Sequence, residues 1–178
     1  MTDPATHLSP ASRLNRAEVI IRRMRQDDLS QVAAIAAHSY AEPWPQESFR
    51  VELNSEVSQP VVAERAGEIV GFIVAWIVTD EIEIANLTVK ETFRRRGLGR
   101  MMLTHVLALA QARQCATAYL EVRRSNWAAR RLYESMGFND HSLRSRYYGR
   151  TGEDAIVMQK KLTTALSFLR EESNDGVV

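Results

Sequence analysis

The chain has 178 residues, 45% hydrophobic and 25% charged, with a formal net charge of +1. This is enough apolar material for one domain with a proper core, and charges so nearly balanced give no overall field that would favour DNA or a membrane surface. Cys115 is the single cysteine, which excludes an internal disulfide framework and a cysteine-built metal site.

In chain order, residues 1 to about 17 are rich in Pro, Ser, Ala and Arg without periodicity, and are expected to form a flexible arm. They lack a hydrophobic signal core, and no apolar run approaches the ~18 residues of a membrane span, so a cytoplasmic protein is expected. The fold should start with a strand at EVIIRRMR. In DDLSQVAAIAAHSY, Asp27 or Asp28 can cap a helix whose apolar face runs through Leu29, Val32, Ala33, Ile35 and Ala36. PWPQESFRVELNS predicts a shorter helix after two prolines. PVVAERAGEIVGFIVAWIVTD and EIEIANLTV read as strands of an antiparallel meander, turning at Ala66-Gly67 and near Asp80-Glu81.

ETFRRRGLGRMMLTHVLALAQAR follows. Gly97 and Gly99 could simply let a strand turn into a helix, and Arg94, Arg95 and Arg96 could be ordinary solvated charge. Yet a strand, a Gly-rich turn and a helix start in succession aim free backbone N–H groups and the positive end of a helix dipole at one point, which suits a phosphate. A dinucleotide on a Rossmann turn is disfavoured, because a third glycine and a second mononucleotide half are missing. TAYLEVRRSN then reads as a strand, and NWAARRLYESMGF as a helix capped by Asn126 and closed by Gly137. Strands flanking a helix imply a parallel crossover. SLRSRYYGRTGEDAIVMQKKL predicts a hairpin turning around Gly149 to Gly152. Leu162, Ala165, Leu166 and Leu169 predict one weak helix in a tail spanning 163–178. A single domain over 18–162 is expected.

The order of elements, with LTVKETFRRRGLGRMML, YLEVRRSNWAARRLYESMGF and YYGRTGEDAIVM, resembles the GNAT superfamily of N-acetyltransferases over roughly residues 19 to 162. Within it, the bacterial ribosomal-protein-alanine N-acetyltransferases are most similar. The resemblance rests on a Q/R-x-x-G-x-G/A turn met by Arg94, Gly97 and Gly99, and on Asn126 and Tyr133. It implies an α/β fold with a mixed, mostly antiparallel sheet of about seven strands, a parallel splayed pair and about four helices. It also implies acetyl-CoA as co-substrate, no metal, and a peptide or protein N-terminus as acceptor, that of a ribosomal protein, in a monomer or weak dimer.

By the same resemblance, backbone amides from Arg95 through Arg96, Gly97, Leu98 and Gly99 to Arg100 face the cofactor pyrophosphate. Leu87, Thr88 and Val89 offer backbone to its pantetheine arm, and Asn126 either contacts the cofactor amides or serves only as a helix cap. Acetyl transfer needs a base, because an α-amino group has a pKa near about 8 and attacks only when neutral. Glu121 leads, since Tyr119, Glu121 and Arg123 alternate along a strand face that both neighbouring helices should cover, and its position matches the base the resemblance implies. Partial burial there would raise its pKa toward the working range. Glu83 competes, and a salt bridge from Glu121 to Arg123 or Arg144 is the plainer alternative. A backbone N–H near Val89 would hold the thioester oxygen. Tyr133, seven residues after Asn126 and so two turns along the same helix face, fits the acid that protonates the leaving thiolate, or else is core.

For the acceptor, Trp44 and Phe49 in HSYAEPWPQESF are candidates for the groove or for the core, and Tyr147 and Tyr148 for its walls. His7, His38, His105 and His141 form no ligand spacing and are read as incidental. Acetylation of lysines or small amines, and non-catalytic acyl-CoA binding, are the alternatives: a closed pocket would favour a small amine, an open groove a peptide.

Overall fold

The structure is a computed structural model that describes residues 18–162. The sequence patterns resolve into strands β1 (Val19–Arg23), β2 (Ser58–Arg65), β3 (Glu68–Val78), β4 (Glu81–Val89), β5 (Thr117–Arg123), β6 (Asn139–Tyr148) and β7 (Glu153–Lys161). Helices are α1 (Leu29–Ser39), α2 (Gln46–Asn54), α3 (Leu98–Ala112) and α4 (Trp127–Glu134). The tail helix expected after Leu162, like the arm before residue 18, lies outside the described residues.

All seven strands join one sheet in the order β1-β2-β3-β4-β5-β7-β6. Ala66 and Gly67 take positive φ angles of 48° and 82°, closing the tight β2–β3 turn as the Ala-Gly pair predicts. Every strand pair is antiparallel except β4–β5, which α3 connects as a crossover. The last hairpin folds so that β7 lies against β5 and leaves β6 on the edge.

Apolar side chains pack on both sheet faces. On one, α3 inserts Leu98, Met102, Leu103, Val106 and Ala110 against Ile73, Ala75, Ile82, Ile84, Ala118 and Leu120, with Tyr133 and Phe138 closing the layer. Cys115 is buried there just past the end of α3, as a small apolar side chain. On the other face, Leu29, Val32, Ile35 and Ala36 of α1 and Phe49 of α2 cover Val62, Ile69, Phe72 and Val74. Because α1 and α2 pack over β2, β3 and β4, this second face of β5 carries no helix among the described residues.

Two expectations change here. Tyr119, Glu121 and Arg123 do share a face, but α3 packs against Ala118, Leu120 and Val122 on the opposite one, so among the described residues no helix covers Glu121. Nor does Asp28 cap α1 through its side chain. Its oxygens accept from Arg22 at 2.7 and 2.8 Å and from the Arg25 N–H at 2.7 Å, because the guanidinium of neighbouring β1 supplies a charged fork that a lone amide cannot match. Burial alone would raise the Asp28 carboxyl, but the hydrogen bonds from Arg22 and the Arg25 N–H, together with the charges of both arginines, overcome this and leave it below the usual carboxylate range.

The Asp28 side chain is only 8% exposed and that of Arg22 18%, so Asp28→Asn is expected to cost about 3 kcal/mol at neutral pH, as for a broken buried pair. A depressed carboxyl stabilises above its unfolded value and stops doing so as pH falls through its folded value. The gap between wild type and variant in chemical denaturation should therefore close below pH about 4.

Candidate active site

Hydrogen bonding between β4 and β5 runs only from Glu81↔Thr117 to Ile84↔Leu120. At that point β4 carries a bulge, since Ile84 pairs with Ala75 but Asn86 with Val74, leaving Ala85 unmatched. The extra residue keeps Leu87 and Val89 toward α3 and α4, and Asn86 and Thr88 toward α1. Lys90 N–H donates to the Val70 carbonyl at 2.9 Å. Antiparallel rungs alternate, so Leu87 and Val89 turn their own N–H and C=O groups away from β3, into the gap between β4 and β5. The splayed pair expected from the resemblance is thus formed.

On the α3 side, a cleft of about 760 Å³ opens along this gap. Leu87, Val89, Arg94, Arg95, Gly97, Leu98, Gly99 and Arg100 line it, and Tyr133 forms part of its wall. Gly97 enters α3 at φ 85°, a left-handed conformation that glycine adopts freely, and no side chain caps the helix start. Arg95 is also left-handed, at φ 62°. At Gly99 a Cβ would lie 3.2 Å from the Leu132 side chain. The first-turn amides of α3 therefore face open space beside three arginines, a cradle of the shape and sign for a diphosphate.

Three residues expected here turn their side chains elsewhere, although it was backbone that Thr88 and Arg96 were expected to offer and capping was one reading of Asn126. Thr88 buries its side chain on the α1 face, 2.6 Å from the Tyr40 hydroxyl. Arg96 stacks over Phe93 at 5.5 Å. Asn126 caps α4, its Oδ1 accepting from Ala129 N–H at 3.2 Å, which leaves only its amide nitrogen for another partner. Trp127, 63% exposed, and Arg131 line the cleft without having been singled out in the sequence, where an aromatic and a cation at the start of α4 were the only signals.

Tyr133 packs edge-on against Phe138 at 5.9 Å and is only 7% exposed. Burial pushes its phenol far above the usual tyrosine range, with the phenols of Tyr40 and Tyr148 adding to the shift. It therefore stays protonated.

The uncovered face of β5 forms a second cleft, of about 370 Å³, lined by Trp76, Glu83, Tyr119, Glu121, His141 and Arg144 among others. Glu121 Oε1 pairs with Arg144 Nη1 at 2.7 Å, the bridge that was the plainer reading of its sequence position. The carboxyl that the surroundings raise is Glu83, through burial first and the charge of Glu121 second. His141 is not incidental to this cleft, because its ring packs edge-on against Tyr119 at 5.9 Å. Phe49 belongs to the core, edge-on to Phe72. Trp44 instead stacks on Trp76 at 6.3 Å and 13°, backing the cleft from the α1–α2 connection. Tyr147 and Tyr148 meet edge to face at 5.3 Å. Tyr147 turns toward Glu121 and Arg144, whereas Tyr148 lies under the Arg123 guanidinium at 3.7 Å and is pushed up to about 12 by burial.

A mixed sheet opened at its one parallel pair, with an anion cradle on one face and paired carboxylates on the other, is a frame for moving an acyl group from a phosphate-bearing carrier to an amine. The chain belongs to the acetyltransferase (GNAT) family, whose profile matches residues 29–138. It is an acetyl-CoA-dependent N-acetyltransferase. It is 36% identical over 145 residues to the ribosomal protein bS18-alanine N-acetyltransferase of Escherichia coli K12, covering 78% of this chain and 94% of the other. To the N-alpha-acetyltransferase RimI of Mycobacterium tuberculosis it is 33% identical over 148 residues, covering 80% and 92%. The crystal structure of the Escherichia coli ribosomal-protein-S18-alanine N-acetyltransferase superposes with a TM-score of 0.76 at 34% identity, over 83% of this chain and 96% of that one.

Glu83 yields a test of the cleft's electrostatics. A carboxyl raised in the fold favours the folded state only while protonated, so its ionisation opposes folding as pH rises through its folded value. Glu83→Gln is expected to be at least as stable as wild type at pH about 7. That advantage should vanish on acidification below the ordinary glutamate value of 4.5; chemical denaturation at several pH values measures it.

Proposed function

We propose that this protein acetylates the N-terminal amine of a protein, and that its acceptor is the alanine-starting small-subunit ribosomal protein for which its relatives are named. The observation that carries this is the form of the acceptor cleft. It lies over the paired part of β4 and β5, with Glu121 one residue past the last rung, and stands open to solvent beside exposed Glu81, His141 and Arg144, which suits an extended chain end better than a small enclosed amine.

The residues divide the work. Glu83 and Glu121 attract the ammonium with two carboxylates from adjacent strands. Glu121 stands one residue beyond the last rung at Leu120, nearest the mouth of the gap, while Glu83 sits one rung behind, opposite Tyr119. Glu121 is thus the base that takes the amine proton, directly or through one water. Its pair with Arg144, whose side chain is 56% exposed, yields readily, since a solvent-exposed ion pair contributes about 1 kcal/mol or less.

Acetyl-CoA supplies the thioester, and the cradle at Arg94 to Arg100 holds its diphosphate. The N–H groups of Leu87 and Val89 in the gap stabilise the charge that develops on the thioester oxygen. As the amine nitrogen bonds to the acetyl carbon and the carbon–sulfur bond breaks, Tyr133 gives its proton to the departing sulfur.

The test is release of free CoA thiol with peptides starting Ala, Ser, Thr or Met, each beside an N-terminally blocked, lysine-containing control. Free N-termini should turn over with Ala preferred, and Glu121→Gln and Tyr133→Phe should each lower kcat on the order of 10²-fold. Turnover of the blocked lysine peptides would refute the acceptor assignment.

A further inference from the structure

Tyr40 stands just past the end of α1, and its hydroxyl reaches three groups of β4 beyond the bulge: Asn86 Oδ1 at 2.7 Å, Thr88 Oγ1 at 2.6 Å and the Leu87 carbonyl at 3.3 Å. A phenol gives one proton and can accept another. The consistent pattern has Thr88 donating to Tyr40, and Tyr40 donating to Asn86 with the Leu87 carbonyl sharing the proton. The ring is 38% exposed, so the contact is made by the polar end of the side chain rather than by packing of its body.

The Leu87 carbonyl is one of two that face the gap. The other, Val89, accepts from Arg94 Nε at 3.1 Å, and Arg94 Nη2 also lies 3.5 Å from Ser39 Oγ at the same end of α1. Both acceptors of the unpaired strand are thus covered by side-chain donors held at the end of α1. What the strand presents to the gap is its N–H groups, the sign needed beside a developing oxyanion.

We infer that Tyr40 is a positioning residue for acetyl transfer: its hydroxyl latches the end of α1 to the unpaired part of β4 and sets the direction of the Leu87 and Val89 N–H groups. The inference rests on the oxyanion role proposed above for those two amides and is independent of which amine is the acceptor. Because the phenol orients the donors without touching the reacting atoms, its loss slackens them without removing them. The expected effect is about tenfold in kcat, smaller than the ~10²–10³-fold loss on deleting an oxyanion donor outright.

Tyr40→Phe keeps the ring and removes the latch, and Thr88→Val breaks the same latch from the strand side should the first variant fold poorly. Steady-state kinetics over pH about 6 to 9, with whichever amine the wild type turns over, should show kcat lowered about tenfold at every pH. KM for acetyl-CoA should stay within about twofold, and the double variant should be no slower than either single one, since both cut one link. The inference is overturned if kcat stays within about twofold of wild type, if the loss falls on KM alone, if the pH profile changes shape, or if the two losses add. A wild type that acetylates lysine peptides instead of N-termini would end the acceptor proposal while leaving this comparison intact.

Discussion

Backbone pairing between β4 and β5 stops after four rungs, and the rest of the molecule is organised around that interruption. Unpaired backbone groups away from water are costly, so an opening of this kind persists only where other groups meet them. The bulge at Ala85 turns β4 away, while β5 stays hydrogen-bonded to β7 along its whole length and cannot follow. The gap is therefore held open by pairing on its far side. Its carbonyls find Tyr40 and Arg94, and its amides remain available to a ligand.

The sheet also keeps the arginines at the start of α3 away from the carboxylates of the second cleft, where Glu121 already has Arg144 as its partner. Arg94, Arg95 and Arg100 gather at the start of α3 on one face, and Glu83 and Glu121 on the other. Were they on one face, the arginines would neutralise the carboxylates needed for an amine, and the carboxylates would repel a diphosphate. Tyr133 is buried in the wall of the arginine-lined cleft and kept protonated by that burial.

Much of this was legible along the chain because it depends on local chemistry. Strands and helices followed from alternation and helical spacing, the β2–β3 turn from Ala66-Gly67, and the anion cradle from glycines placed directly before a helix. Asn126 was readable as a cap for the same reason. The parallel crossover was readable too, since a strand, a long helix and another strand leave few other connections.

Period-two alternation grouped Tyr119, Glu121 and Arg123 on one face, but it could not say which face a helix would cover. That depended on where α1 and α2, far away in sequence, came to pack. Asp28 was a sound cap by its local position and was claimed by Arg22 of β1. Trp76, Tyr40 and His141 carried no local signal, because each gains its place through partners more than twenty residues away: Glu52, Thr88 and Tyr119. The sequence by itself determined the elements, the glycine turn with its uncapped helix start, and which titratable side chains share a strand or helix face, all matters of neighbours within a few positions. Tertiary structure alone decided which carboxyl is raised, which is paired, and which strand is left open, because burial and charge act between residues that only the folded sheet brings together.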